Sequence, residues 1–510
     1  MKELTIPLKP DSRIPLYQQI YEYIKSDITD GKISPGEKLP STRLLAGNLM
    51  VSRSTVDLAY DQLLSEGYVK TVPCSGYFVC EIETGFAKGD SRKKEMLRNR
   101  SKNLDGSRGW TEAVYGGFVS SETSHFSCDF SPNAIEWSDF SMASWRKAIK
   151  SMLQDEMEEL FQPGSSQGEE NLRRAICDYL HRARGVNCDI HQIIVGAGNE
   201  YLLMLLYQML GAEQRVAMES PTYRQAYQIF RNLGWRVAPV PMDESGMMLA
   251  GLRESGARLA YIMPSHQFPL GNVMPMKRRT ELLQWAGEEK GRYIIEDDYD
   301  SEFRYKGKPI PSLQGSDPYD SVIYLGTFSK SIAPAIRVSY MVLPPELMLL
   351  YQERCGFYSS TVSRIQQQIL YHFVKDGYFE RHLNKMRGIY RTRHDALLAE
   401  LKGKRWVKRI YGENAGLHVL VEIDTIKTEE QLIEEAKSAG IRVYGLKEYA
   451  IEESAPGDMK AYTAEESPPG DGQRVGAFHR QQKHSTLLLG YAGLSEKKIQ
   501  EGIRGLEKIV

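Results

Sequence analysis

The chain has 510 residues, with 65 Lys and Arg against 66 Asp and Glu, and a formal net charge of -1 at pH 7. That length accommodates two or more domains, one of them large, and the charge balance excludes a whole-chain attraction to nucleic acid, so any such contact must come from a local basic surface. No apolar run is long enough to span a membrane, and the opening Met1-Lys-Glu-Leu-Thr-Ile-Pro7 is too short and polar for a signal sequence, so a cytoplasmic protein is expected. Six cysteines (Cys74, Cys80, Cys128, Cys177, Cys188 and Cys355) are scattered, with only Cys74 and Cys80 close together. They read as free thiols, with neither a disulfide framework nor a metal site.

Residues 11–80 form the first unit. Leu16, Ile20, Tyr23, Ile24 and Ile28 recur at helical spacing up to Gly31, and Lys32-Ile-Ser-Pro-Gly-Glu-Lys-Leu-Pro40 then breaks the helix. Ser41 stands at an N-cap position before a short helix with Leu44, Leu45 and Leu49 on one side, and Met50-Val51 make the turn. Ser52 caps a longer helix, Arg53 to Glu66, with Val56, Ala59, Tyr60, Leu63 and Leu64 as its buried stripe and Arg53, Ser54 and Thr55 left polar at its start. Tyr68-Val-Lys-Thr-Val72 and Tyr77-Phe-Val-Cys80, joined across Pro73 to Gly76, read as a hairpin. Two short helices, the second with a basic polar start, followed by a hairpin describe a winged helix-turn-helix, a reader of double-stranded operator DNA.

Leu39-Pro-Ser-Thr-Arg-Leu-Leu-Ala46, Val51-Ser-Arg-Ser-Thr-Val56 and Ala59-Tyr-Asp-Gln-Leu-Leu-Ser-Glu-Gly-Tyr-Val69 resemble the DNA-binding domain of the GntR family of bacterial regulators. The resemblance implies phosphate and base contacts from Arg43, Ser52, Arg53, Ser54 and Thr55, and wing contacts from Ser75 and Gly76. Cys74 stands where that family usually has the first wing glycine.

Residues 81–125 change character. Ser91-Arg-Lys-Lys-Glu-Met-Leu-Arg-Asn-Arg-Ser-Lys102 is basic and poor in apolar residues, as in a flexible linker. From 126 to 510, apolar strands alternate with amphipathic helices, the pattern of an α/β domain with a mainly parallel sheet. The strand Ile193-Ile-Val195 runs into the turn Gly196-Ala197-Gly198-Asn199, which opens an apolar helix whose free amides suit a phosphate. Further strands lead into Glu219-Ser-Pro-Thr-Tyr223, Pro264-Ser-His-Gln-Phe-Pro-Leu-Gly271 and Glu296-Asp297-Asp298-Tyr299-Asp300. These polar groups are expected just past strand C-termini, where open α/β sheets bind ligands.

The strand Val322 to Leu325 ends at Gly326-Thr327 and leads to Lys330, and a second strand, Val338 to Leu343, follows Arg337. A lysine at the end of a buried strand is partly desolvated, which lowers its pKa and leaves free amine for a Schiff base with an aldehyde. A pyridine aldehyde cofactor needs that lysine, a carboxylate at the ring nitrogen, a phenol near the ring hydroxyl, an aromatic face and a phosphate cup. Lys330, Asp297, Tyr299, Tyr223 and the Gly196 turn with Thr327, Ser329 and Arg337 supply all five.

Met263-Pro-Ser-His-Gln-Phe-Pro269, Ile294-Ile-Glu-Asp-Asp-Tyr-Asp-Ser-Glu-Phe303 and Gly326-Thr-Phe-Ser-Lys-Ser331 resemble the fold-type I, pyridoxal-phosphate aminotransferases, and the chain as a whole resembles the MocR/GabR subfamily of GntR regulators. The likeness covers nearly the full length apart from the linker and Glu452 to Ser485, which look like an extra loop. It implies a winged head joined to a large transferase-like domain with a smaller C-terminal subdomain, pyridoxal 5'-phosphate as cofactor and a homodimer. Two departures stand out. Phe268 occupies the place of the asparagine that aminotransferases put before Pro-x-Gly, and Gly493 that of an arginine for the substrate carboxylate. Losing that clamp makes ordinary transamination and a GABA effector less expected. The leading expectation is a regulator that holds pyridoxal phosphate on Lys330 and senses an amine or amino-acid-like ligand. The alternatives are an aminotransferase with an autoregulatory head and a regulator for which pyridoxal phosphate is itself the effector.

Overall fold

The computed structural model describes residues 6–8, 14–66, 68–72, 76–80, 126–134, 139–154, 157–305, 310–451 and 485–510. The expected linker 81–125, the wing residues Cys74 and Ser75, and 452–484 lie outside the described residues. The chain divides into two compact units, Met1–Thr123 and Ser124–Val510.

The first unit holds helices α1 (Leu16–Thr29), α2 (Thr42–Leu49) and α3 (Arg53–Ser65) and the hairpin β1 (Val69–Val72) and β2 (Gly76–Val79). Ser41 and Ser52 cap α2 and α3 by accepting from the amides of Leu44 and Thr55, both at 3.2 Å. Ile20, Ile24, Leu45, Val56, Tyr60 and Leu63 close the core. The Tyr60 hydroxyl, buried with its ring, donates to the Pro40 carbonyl at 3.0 Å. Two expected core residues face outward: Leu44 is 49% and Leu64 37% exposed. Each lies one position away from a fully buried leucine, and a helix turns about 100° per residue, so both cannot share the stripe.

In the second unit an eight-stranded sheet runs in the order β4-β11-β10-β9-β8-β5-β6-β7. Its strands are β4 (Ile193–Gly196), β5 (Arg215–Ser220), β6 (Arg236–Asp243), β7 (Gly246–Met247), β8 (Leu259–Ile262), β9 (Tyr293–Asp298), β10 (Val322–Thr327) and β11 (Ser339–Val342). The pairs β10·β9, β9·β8, β8·β5 and β5·β6 are parallel, while β11 is antiparallel to both its neighbours. Alternate residues feed two different cores: Val195, Tyr324 and Tyr340 join one, and Ile194, Leu325 and Met341 the other. Both faces are covered, which is why these strands read as continuous apolar runs instead of alternating ones.

A smaller antiparallel sheet, β12-β13-β16-β15, built from β12 (Val407–Tyr411), β13 (His418–Ile423), β15 (Tyr444–Gly445) and β16 (Ser485–Gly490), forms the C-terminal subdomain. Short strands β3 (Cys128–Asp129) and β14 (Ile441–Arg442) pair in parallel beside it. Ser485, expected at the end of a loop, begins β16 and pairs with Ile423. Among the described residues no helix is long and apolar enough to cross a membrane.

One difference from the expectation bears on the site. β9 continues through Asp298, so Glu296, Asp297 and Asp298 lie within a fully buried strand and not after it. Burial is tolerated because each carboxylate is answered. Glu296 accepts from the amides of Leu313 (2.8 Å) and Gln314 (2.9 Å). Asp298 accepts from Arg184 (2.7 Å) and from the Tyr324 hydroxyl (2.6 Å).

Candidate cofactor site

A cavity of about 300 Å³ opens at the C-terminal edge of the large sheet, lined among others by Tyr223, Asp297, Tyr299, Lys330 and Arg337. Its floor is set by β10. Gly326 is required there, because a Cβ would come within 2.4 Å of the Tyr340 ring on the neighbouring strand. Thr327 then caps the single-turn helix Phe328–Ser331 that carries Lys330, accepting from the Ser329 amide at 3.1 Å. Lys330 Nζ donates to Asn133 Oδ1 (2.6 Å) and to the Pro132 carbonyl (3.2 Å). Burial lowers its pKa to about 8, with the charge of Asp300 opposing the shift. At pH 7 about a tenth of it is then free amine, against well under a thousandth for an unperturbed lysine.

Asp297 accepts from the Tyr261 hydroxyl and, at 3.3 Å, from Asn199 Nδ2. Burial pushes its pKa up to about 7, further raised by Asp298 and Asp300 and opposed by the Tyr261 bond. A cation placed against Asp297 would remove that penalty.

Tyr299 belongs to a cluster of three. His266 Nδ1 lies 2.9 and 3.0 Å from the two Asp300 oxygens and 3.0 Å from the Tyr299 hydroxyl. Two carboxylate oxygens at one nitrogen require that nitrogen to carry the proton, so Nδ1 donates and the Tyr299 oxygen is a second acceptor. Burial and the charges of Asp300 and Asp297 hold the Tyr299 phenol well above its ordinary pKa, so it stays protonated and can donate. Phe268 is the hub of an aromatic wall, with edge-on contacts to Tyr223 (5.8 Å), Tyr299 (6.1 Å), His418 (5.2 Å) and Tyr449 (5.1 Å) between ring centres. His418 is held neutral by burial and by His266, its pKa driven down to about 3, and donates from Nε2 to the Pro269 carbonyl at 2.9 Å.

The anion cup is formed at the start of the helix Asn199–Leu210, whose first amides have no intrahelical acceptor. Gly198 has φ +96°, and a Cβ there would sit 2.5 Å from Arg337 Nη2 and from Glu200 Oε2. Arg337 itself adopts φ +48°, a conformation that costs a non-glycine residue about 1 kcal/mol or more and turns its guanidinium back towards this helix. Ser329 Oγ and Asn199 Oδ1 are buried without a partner. The buried unsatisfied hydroxyl, the glycine cradle and the arginine fit a phosphate, and the buried Asp297 fits a protonated ring nitrogen. Gly196 ends β4, and the amide of the following Ala197 donates to Thr361 Oγ1 at 3.0 Å.

Four participants carried no signal in the sequence. Glu200 pairs with Arg337 at 2.7 Å. Asn133 reaches Lys330 across 197 positions of chain. His266 and Asp300 stood inside quoted motifs without a role. The glycine at 493 now has a packing reason: a Cβ there would be 2.5 Å from that of Ala134 and 3.2 Å from the Ala134 carbonyl carbon, so a longer side chain would displace the segment bearing Asn133.

In the winged unit Arg43, Ser52, Arg53 and Ser54 are exposed and Thr55 is half-buried. The Ser52 hydroxyl is occupied as the cap and lies 2.7 Å from Thr55 Oγ1 and 2.9 Å from Ser54 Oγ. The Arg53 side chain is 70% exposed, within 3.6 Å of Asp57. Gly76 begins β2 with φ +113°.

His266→Phe deletes the N–H that the Tyr299 oxygen accepts while keeping the ring volume. The expected result is a shift of roughly 0.5–1 unit in the pH at which the visible spectrum of bound pyridoxal phosphate changes, with the thermal midpoint of the winged unit unchanged. A titration overlaying that of the unmodified protein would remove His266 from this role.

Residues 16–79 match the model of the bacterial regulatory proteins of the gntR family, and residues 131–454 that of the class I and II aminotransferases. Uncharacterized HTH-type transcriptional regulator YdeL of Bacillus subtilis is 37% identical over 97% of this chain and 96% of its own. The probable rhizopine catabolism regulatory protein MocR of Rhizobium meliloti is 31% identical over 98% of this chain and 94% of its own. Among solved structures, the α-aminoadipate aminotransferase LysN of Thermus thermophilus, complexed with N-(5'-phosphopyridoxyl)-L-leucine, superposes with a TM-score of 0.61 at 25% identity, covering 78% of this chain and 97% of LysN.

Proposed function

Because this chain belongs to the MocR/GabR subfamily of GntR transcription regulators, a DNA-binding, pyridoxal-phosphate-dependent group, we propose that it senses a primary amine or amino-acid-like effector by competition with Lys330 for its cofactor. When bound, pyridoxal phosphate supplies an aldehyde that condenses reversibly with primary amines, with loss of water.

The residues divide the work of holding it. Lys330 provides the resting covalent attachment, and its lowered pKa keeps amine available at neutral pH. Asp297 holds the ring nitrogen in its cationic form, and that pairing relieves the cost of its own burial. Tyr299 donates to the ring oxygen in place of the asparagine that Phe268 replaces, with His266 and Asp300 fixing its orientation. Tyr223, which lines the cavity, would offer the ring an aromatic face. The helix start at Asn199, reached across the turn Gly196-Ala197-Gly198, would take the phosphate together with Thr327, Ser329 and Arg337, with Arg337 exchanging Glu200 for it.

An effector amine that displaces Lys330 returns an ammonium to the Asn133 and Pro132 acceptors. Those residues adjoin Ala134, which packs on Gly493 of the C-terminal subdomain, so the exchange can bias the effector unit between two arrangements. The reading includes a homodimer, in which paired heads with Arg43 and Arg53 at their helix starts meet two half-sites of an operator.

The observation that carries this proposal is a lysine of lowered basicity facing the same cavity as a buried carboxylate of raised pKa. The test is borohydride reduction of the protein loaded with pyridoxal phosphate, followed by peptide mapping. A single pyridoxyl-modified peptide containing Lys330 is expected. Label on other lysines alone, or none, would refute the attachment.

A further inference from the structure

We propose that Cys177, His181 and Cys188 form a binding site for a thiophilic divalent cation of the zinc type, separate from the cofactor cavity. Cys177 and His181 lie four residues apart on the helix Glu170–Arg184 and so share one face of it. The chain reverses at Gly185, φ +63°, and brings Cys188 back onto that face.

The three candidate ligand atoms make a small triangle. Cys177 Sγ is 3.9 Å from Cys188 Sγ and 3.7 Å from His181 Nε2, and Cys188 Sγ is 3.9 Å from the same nitrogen. A tetrahedral centre with metal–sulfur bonds of about 2.3 Å and metal–nitrogen bonds of about 2.0 Å has sulfur–sulfur edges of about 3.8 Å and sulfur–nitrogen edges of about 3.5 Å. The triangle therefore needs to contract by only a few tenths of an ångström. Both cysteines are buried and His181 is exposed, so the imidazole stands on the solvent side of the two thiols.

The exchange of protons balances. In the metal-free state His181 Nε2–H donates to the Cys188 carbonyl at 2.8 Å, and the Cys177 thiol donates to the same oxygen at 3.4 Å. Binding a divalent cation releases both thiol protons to solvent and moves the imidazole proton to Nδ1, so two protons leave for each cation bound. Affinity should rise with pH accordingly. Position gives the site a consequence: the segment after Cys188 leads through Ile190–Gln192 into β4, whose end is the Gly196–Asn199 cup. A cation here would tie the end of one helix to the strand that presents that cup.

Cobalt(II) is a direct probe, added to the full-length reduced chain without pyridoxal phosphate. The expected result is one Co(II) per chain, with thiolate-to-metal charge-transfer absorption and the intense visible bands of tetrahedral coordination, displaced by stoichiometric Zn(II). Cys177→Ser and Cys188→Ser should each abolish the charge-transfer absorption. His181→Ala, at an exposed position that leaves folding intact, should weaken Zn(II) binding at least tenfold. Wild-type protein showing only weak octahedral bands, or His181→Ala and the cysteine variants binding as wild type does, would overturn the proposal. Neither outcome depends on Lys330.

Discussion

Asp297→Ala lowers the affinity for pyridoxal phosphate by about thirtyfold or more, the loss of roughly 2 kcal/mol expected when one partner of a buried charge pair is deleted. The pH dependence distinguishes this pairing from simple packing. The Asp297 pKa in the fold, about 7, is raised above its ordinary 3.8. A raised carboxyl contributes stability that is fully present below its unfolded pKa and is lost as pH rises through the folded one. The cofactor-free protein is thus penalised at Asp297 as pH rises from about 4 through about 7, and a cationic ring nitrogen cancels the penalty. The rise in unfolding temperature on adding cofactor should be larger at pH 8 than at pH 5.5, and Asp297→Asn should abolish most of that difference. Scanning fluorimetry at the two pH values, on both proteins, measures it. An equal dependence in both would show that Asp297 does not face the ring nitrogen.

Lys330→Ala removes the covalent attachment altogether. The expected result is loss of the visible band of lysine-bound cofactor, a spectrum resembling the free aldehyde, and release of the cofactor on dialysis. The phosphate cup and Asp297 remain, so weaker non-covalent binding persists. Lys330 is only half-buried, and Phe328 and Tyr340 pack on each other without it. A folded protein that still binds operator but no longer responds to amines is the predicted phenotype. Persistence of the band in the variant would place the attachment elsewhere.

Much of this was legible in the sequence, for physical reasons particular to each element. The capping serines 41 and 52 and the turn residues marked α2 and α3 because caps act within four residues of chain. The sheet was legible because strands buried on both faces leave unbroken apolar runs. The candidate residues for an aldehyde cofactor could be picked out because they fall in a few short polar motifs after apolar runs, with Asp297 and Tyr299 sharing one and Thr327, Ser329 and Lys330 another. Where the reading stopped short, the cause was contact at long range. Nothing local to Asn133 shows that its side chain meets Lys330, and nothing local to Glu200 shows that it neutralises Arg337. The extent of β9 was underestimated because three consecutive acids are a poor strand signal, and it is Arg184, Asn199, Tyr261, Tyr324 and the 313–314 amides that make them acceptable there. Likewise Cys177, His181 and Cys188 meet only because the chain reverses at Gly185.

The central claim, that an amine displacing Lys330 alters the reading of DNA, is tested most directly by one titration with two readouts. A primary amine is added to the cofactor-loaded protein on fluorescent operator DNA, while the visible absorbance and the DNA anisotropy are followed together. The account predicts that both change with a common midpoint, and that Lys330→Ala shows no amine-dependent change in anisotropy. An absorbance change that leaves anisotropy flat across a panel of amines, or an equal anisotropy change in Lys330→Ala, would contradict it.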